Sequence, residues 1–234
     1  MAIPTIGRPD TVRAELTDII VPAAESLLEH DHYQGLLDGS LPAEGLAHLC
    51  QQDAHHLLPS YGRAHARCAG MARSHRHARL LAHMSLVSLN SANGSADGFP
   101  AMAARLGLPG GPDGAPAIAP ATLHYASFLT ASSAASLAAG LGAVLPSAWL
   151  YQLITDELMV RRDPEGRYGE LLALMYPGEE FAALVAEFLE LIEEFCAVGS
   201  AQDRSILTQH TVQAVRLERE FLDAAWRAGA EEPR

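Results

Sequence analysis

The chain has 234 residues, enough to bury a full core in one large domain or two small ones. Its formal charge of −12 argues against nucleic acid, because a phosphate-binding surface needs clustered cations, while 49% apolar and 19% charged residues is ordinary globular composition. All 16 basic residues are arginine, which rules out lysine Schiff-base chemistry, and Cys50, Cys68 and Cys196 form neither a C-x-x-C pair nor a disulfide framework.

The opening stretch MAIPTIGRPDTVRAEL lacks a basic segment followed by a long apolar run, so no secretory leader is expected there. No window approaches ~20 uninterrupted apolar residues, so no membrane partner is expected either, and a cytoplasmic setting fits. TVRAELTDIIVPAAESLLEH has helical period, with Pro22 expected to break or kink it. The turn residues DGS precede LPAEGLAHLCQQDAHHLLPSYGRAHARCAGMA and are expected to cap it as the next helix. SHRHARLLAH reads as a solvated, Arg-rich helix face. The Pro/Gly-rich stretch at 107–120 is the one candidate linker, but each half alone would leave a helix face uncovered, so residues 1–234 are expected to form a single domain. In EEFAALVAEFLELIEEFCAV, the apolar residues Phe181, Leu184, Val185, Phe188, Leu189, Ile192, Phe195 and Cys196 recur at helical spacing with acids between them. DRSILTQHTVQAVRLEREFLDAAWRAG follows as a last long helix, expected to close at Gly229. No run alternates for long enough to make a strand. The expectation is an all-α bundle of roughly seven or eight helices.

Nine of the eleven histidines lie between His30 and His83. A di-iron site needs four carboxylates from facing helices, whereas between Glu44 and Asp156 there are only Asp53, Asp97 and Asp113, the last two in Gly-rich, loop-like sequence. No metal or other cofactor is therefore expected, although a mononuclear site through His55 or His56 with Asp53 stays open. Leu49, Gln52, Asp53 and His56 project from one side of their helix. A carboxylate on that inner stripe is costly unless it pairs with a cation such as Arg63 or Arg67, or is poised for a ligand. Glu218 borders the apolar side formed by Leu217, Phe221, Leu222 and Ala225, as in any amphipathic helix. Tyr125, Trp149, Tyr151 and Tyr176 read as core. Ser147, in LPSAWLY, has no G-x-S-x-G elbow and no strand to mount it, so it reads as a helix cap.

Five segments in register resemble the TenA/thiaminase II family, which has the heme-oxygenase-like helical fold, over about residues 25–226. They are HDHYQGLLDGSLPAEGLAHLCQQD, APATLHYASFL, LGAVLPSAWLY, YGELLALMYPGEEF and LEREF. The resemblance implies a deep pocket for an aminopyrimidine and hydrolysis of a C–N bond. In that scheme a cysteine attacks the ring, an aspartate binds its amidine edge, and a glutamate supports proton transfer among tyrosines. Carried onto this chain, the acids are Asp53 and Glu218, the tyrosines Tyr125, Tyr151 and Tyr176, and Phe221 completes E-x-x-F. Two positions depart from the pattern. Ser147 stands where the family has its nucleophilic cysteine, and His56 stands where it has a tyrosine. A serine hydroxyl needs an adjacent base, and removing a nucleophile from an otherwise intact site costs about 10⁶ in rate. Cys50, one turn before Asp53, is a possible substitute. His56 titrates near neutrality and with Asp53 would suit general acid–base work. The resemblance thus implies a small-molecule enzyme with metal-free hydrolytic or acid–base chemistry on an aminopyrimidine or other heteroaromatic. The alternatives are a repurposed enzyme of a natural-product pathway or a non-catalytic ligand-binding protein with the same pocket. It also implies a homo-oligomer, a dimer or tetramer.

Overall fold

The computed structural model describes residues 11–107 and 115–230. Half of the candidate linker, residues 108–114 with Asp113, lies outside the described residues. Among those described there are eleven α-helices and no strand. Helix α1 (Val12–Leu28) opens on Thr11, whose hydroxyl accepts from the Ala14 amide. It runs unbroken through Pro22 rather than breaking there. The buried row Leu16, Ile20, Ala24 and Leu27 packs against the body of the bundle, and that packing outweighs one missing backbone bond.

Helix α2 (Asp31–Asp38) is capped by His30 and ends on Gly39, whose φ of 82° is the left-handed conformation glycine tolerates. Helix α3 (Ala43–Gln52) starts after Pro42 without a side-chain cap, so DGS does not cap it; the Ser40 amide instead donates to Asp38 within the turn. A π-helical turn, Asp53–Leu57, carries α3 without interruption into α4 (Leu58–Met71).

Helix α5 (His75–Leu106) continues through Gly94, Gly98 and Pro100. Asp97 therefore lies on a helix and not in a loop, because Ala92, Phe99 and Ala103 are buried and hold that stretch in place. At its start, Arg76 and His77 reach Glu194 across the surface. Next come α6 (Pro120–Ala135), α7 (Leu137–Val144), a 3₁₀ turn (Leu145–Ser147) and α8 (Trp149–Arg161). The chain closes with α9 (Gly169–Met175), α10 (Gly178–Val198) and α11 (Ala201–Ala230). There are more helices than expected because Ser136 adopts extended backbone and Pro146 forces a tight turn, which splits one apolar stretch into three.

The part of it from α7 through α8, Leu137–Arg161, is long and apolar enough by composition to cross a membrane, with a best-window mean hydropathy of 1.4. Two-thirds of the window (67%) is buried inside the bundle, however. Helix α7 is apolar all round and buried from Ala138 to Val144, enclosed by α4, α6 and α11, as a central core helix should be.

Helix α11 begins with a reciprocal cap: the Asp203 amide donates to the Ser200 hydroxyl, and the Ser200 amide donates to the Asp203 carboxylate. Its described residues run to Ala230, one past Gly229. That glycine lies inside the helix and lets it approach α3, since a Cβ there would sit 2.8 Å from Pro42 and about 3 Å from Gly45. The approach of α7 to α11 is tighter still, because a Cβ at Gly142 would lie 2.2 Å from the Leu207 carbonyl oxygen. Gly142→Ala is therefore expected to force the two helices apart and to lower stability by about 3 kcal/mol, read from urea unfolding. An unchanged midpoint would show that α7 and α11 are not locked together.

Candidate functional site

The π turn determines which side chains meet. On an unbroken α-helix the residue two turns below Asp53 on the same face would be Ser60, at i+7. The one extra residue of the π turn passes that place to Tyr61. Ser60 instead turns its hydroxyl back to the His56 carbonyl at 2.6 Å.

Six side chains from six parts of the chain converge on this point. Asp53 comes from the π turn, Tyr33 from α2, Tyr61 from α4, Tyr125 from α6, Tyr151 from α8 and Glu218 from α11. Asp53 and Glu218 feel each other's charge, and Tyr33 and Tyr61 feel both. Tyr61 donates a very short hydrogen bond to the Tyr125 hydroxyl, with the rings edge to face at 5.7 Å. Tyr125 in turn hydrogen-bonds Glu218. The result is a relay from Tyr61 through Tyr125 to the carboxylate. Tyr151 donates to the Met175 carbonyl at 2.7 Å, and Phe181 holds its ring edge-on.

Asp53, Glu218, Tyr151 and Cys50 are surrounded by protein, yet each keeps some water-accessible surface. Partial exposure of side chains that protein surrounds points to a recess between them. A separate surface recess of about 290 Å³, between α1 and the start of α11, is lined by Glu15, Ala201, Arg204, Ser205, Thr208 and Gln209 and shares no residue with the carboxyl pair.

Burial pushes the Asp53 carboxyl up to about 7, and the Glu218 charge adds to the shift. Burial also raises Glu218 to about 7, with the hydrogen bond from Tyr125 opposing it. The ion pairs among the described residues do not include Asp53, so neither Arg63 nor Arg67 compensates its charge. Two carboxyls in this state titrate as a unit, and burial shifts the pair toward the protonated form. The tyrosine hydroxyls are also pushed up by burial and stay protonated, as donors. Cys50 is raised to about 12 by burial and by Asp53, which makes it a poor thiolate nucleophile.

The other expected site residues lie elsewhere or do other things. His56 does not join Asp53. Its Nε2 donates to the Pro116 carbonyl at 2.8 Å, while the Gln52 amide bonds Ala117 and Ala119, so both residues fasten the segment leading into α6. Ser147 is not a helix cap, since α8 has no side-chain cap and the Ser147 hydroxyl donates back to Val144 at 2.8 Å. Tyr176 sits half-buried at the end of α9, next to the Met175 carbonyl that Tyr151 uses. Phe221 is buried in the core one turn beyond Glu218. Among the described residues, no three His, Cys, Asp or Glu side chains are grouped to hold a metal ion.

Two contributors, Tyr33 and Tyr61, are absent from the expectations drawn from sequence. The available signal for Tyr61 was its i+8 spacing from Asp53, which points to the same face only if an extra residue enters the helix. Tyr33 carried no spacing signal at all.

The helix order and the buried acid pair define the class, a helical bundle of the heme-oxygenase-like type. The chain belongs to the TENA/THI-4/PQQC family, whose model matches residues 18–228. It is 31% identical over 208 residues to the thiamine biosynthesis multifunctional protein ThiED of Corynebacterium efficiens, covering 87% of this chain but only 26% of that protein. It is 29% identical over 218 residues to the aminopyrimidine aminohydrolase of Halalkalibacterium halodurans, covering 91% of this chain and 94% of that enzyme. Among solved structures, a TenA homologue from P. horikoshii superposes with a TM-score of 0.71 at 19% identity, covering 93% of this chain and 99% of that one. A TenA homologue from Pyrococcus furiosus gives 0.74 at 14% identity, with 92% and 100% coverage. These two likenesses speak to the fold.

The raised carboxyls have a sign that can be tested. A folded-state pKa above the unfolded one means that the native state holds extra protons, so the stability contribution is full below about pH 4 and is lost as pH rises through about 7. Asp53→Asn and Glu218→Gln should therefore be more stable than the parent by on the order of 2 kcal/mol at pH 8 and no more stable at pH 4, measured by denaturant unfolding. Equal stability at both pH values would mean that the acids are solvated.

Proposed function

We propose that this chain is a TenA-type enzyme that hydrolyses a C–N bond of an aminopyrimidine or a related heteroaromatic without a metal, using Asp53 and Glu218 as its acid–base pair. One observation carries the reading: two carboxyls from distant parts of the chain, surrounded by protein and by tyrosine hydroxyls, with burial raising both toward neutrality. Both curated relatives support it, one by its aminohydrolase name and the other by its place in thiamine biosynthesis.

The chemistry follows from the proton inventory. An ionised Asp53 can accept two hydrogen bonds from the ring nitrogen and amino group of an aminopyrimidine, with the extra proton residing on the ring. Glu218, fed by the Tyr61–Tyr125 relay, holds the proton that the departing nitrogen must take. Water supplies the hydroxyl that replaces the amine, so one C–N bond and one O–H bond break while one C–O bond and one N–H bond form. The tyrosine rings and Phe181 supply the flat apolar walls that a heteroaromatic ring needs.

Ser147 favours a second reading, a reaction diverged from thiamin cleavage. Its hydroxyl is engaged by a backbone carbonyl and not by a base, so it is not activated to attack. Incubation with thiamin and with aminomethyl-pyrimidine, followed by chromatography, separates the cases. The proposal expects ammonia and hydroxymethyl-pyrimidine from the second compound, with turnover at least about 100-fold lower in Asp53→Ala and Glu218→Gln. Undiminished turnover in both variants would overturn the assignment, and thermal stabilisation by the pyrimidine without any product would favour a binding protein. Ser147→Cys should leave stability close to the parent, and gain of thiamin cleavage in that variant would show a site otherwise complete for it.

A further inference from the structure

Outside the acid pair, one side chain makes two directed contacts that tie separate parts of the fold to the recess. His30 precedes α2. Its Nδ1 accepts from the His32 amide at 3.0 Å, capping the helix, and its Nε2 meets the Asp223 carboxylate at 2.9 Å. An acceptor at Nδ1 and a carboxylate at Nε2 together place the ring's donor hydrogen on Nε2. The imidazole is nearly buried, with 8% of its side-chain surface exposed. Asp223 lies on α11, five residues beyond Glu218. Tyr33 lies in the first turn of α2, its amide donating to the His30 carbonyl at 2.9 Å, and its side chain is among those that feel both Asp53 and Glu218.

We propose that His30 and Asp223 are positioning residues: the imidazole clamps the start of α2 to α11 and thereby seats Tyr33 as one wall of the Asp53–Glu218 recess. This rests on the functional reading above only for its consequence in turnover, since the clamp itself is a matter of geometry. The pair touches neither the acids nor a substrate. Its effect reaches them through Tyr33. Without the clamp, α2 retains its cap if the capping group survives, but it is free to shift along α11. Water then enters beside the carboxyls, and the burial that raises them is reduced.

Two substitutions separate the cap from the clamp. Asparagine is among the best capping residues, so His30→Asn keeps an acceptor for the His32 amide while losing the reach to Asp223. Asp223→Asn keeps an oxygen to accept from Nε2, whereas Asp223→Ala removes it. The measurement is the carboxyl titration of Asp53 and Glu218, followed by carbon-detected NMR, with thermal unfolding alongside. The expected result is that His30→Asn and Asp223→Ala each lower the titration midpoint of the pair by about half a pH unit or more while Tm moves by no more than about 3 °C. The double variant should be no worse than either single one, and Asp223→Asn should stay close to the parent. Binding of aminomethyl-pyrimidine should weaken by about 10-fold in the same two single variants, in proportion to the loss of the wall. An unchanged titration in His30→Asn and Asp223→Ala would overturn the clamp. A parent protein that binds no pyrimidine, with the titration shifting as described, would instead sink the functional reading and leave the clamp standing.

Discussion

Two carboxyls drawn together into the body of the bundle dominate this molecule. Asp53 and Glu218 are 165 positions apart in the chain, and the fold brings both into the bundle interior with no cation among the described residues to offset them. A fold selected for stability alone would replace at least one of them, since an uncompensated buried carboxyl is held only by retaining its proton. The surrounding architecture accommodates the pair. The π turn delivers Asp53 and Tyr61 to the same face, and α6 supplies Tyr125 as the donor that reaches Glu218. Tyr33 and Tyr151 close the sides. The central apolar helix α7 and its tight glycine contact with α11 keep the Glu218 helix in place.

The carboxyls also constrain what chemistry is available. A pair of carboxyls raised toward neutrality can present an acid and a base in one place, so a single site can donate to a leaving group and accept from a ring. That arrangement does not depend on a thiolate. Cys50 is held protonated by burial and by the Asp53 charge, and Ser147 donates its hydrogen bond to a backbone carbonyl. Under the proposed function this chain therefore brings an acid–base pair, while neither Cys50 nor Ser147 offers an activated nucleophile.

Much of this was legible in the sequence, and the parts that were not have physical reasons. Helical period marked the all-α class, and the order of five short segments pointed to the family and to Asp53, Glu218, Tyr125 and Tyr151. The π turn was invisible because periodicity counts residues at a constant 3.6 per turn. That count placed His56 beside Asp53 and left Tyr61 off the face, the reverse of the structure. Pro22 read as a break or kink, and the sequence around Asp97 as a loop, because propensity is local, whereas the buried rows of α1 and α5 carry those helices through. Gly229 read as a terminator, although its role is to let α11 touch α3, a contact between distant parts of the chain that no local pattern encodes.

The central claim is that these two acids hold a proton at neutral pH, and infrared spectroscopy reads that state directly. The parent protein at pH 7 should show the C=O stretch of a neutral carboxylic acid, and the band should disappear in the double variant Asp53→Asn, Glu218→Gln. A spectrum at pH 7 that contains only ionised carboxylates would contradict the account.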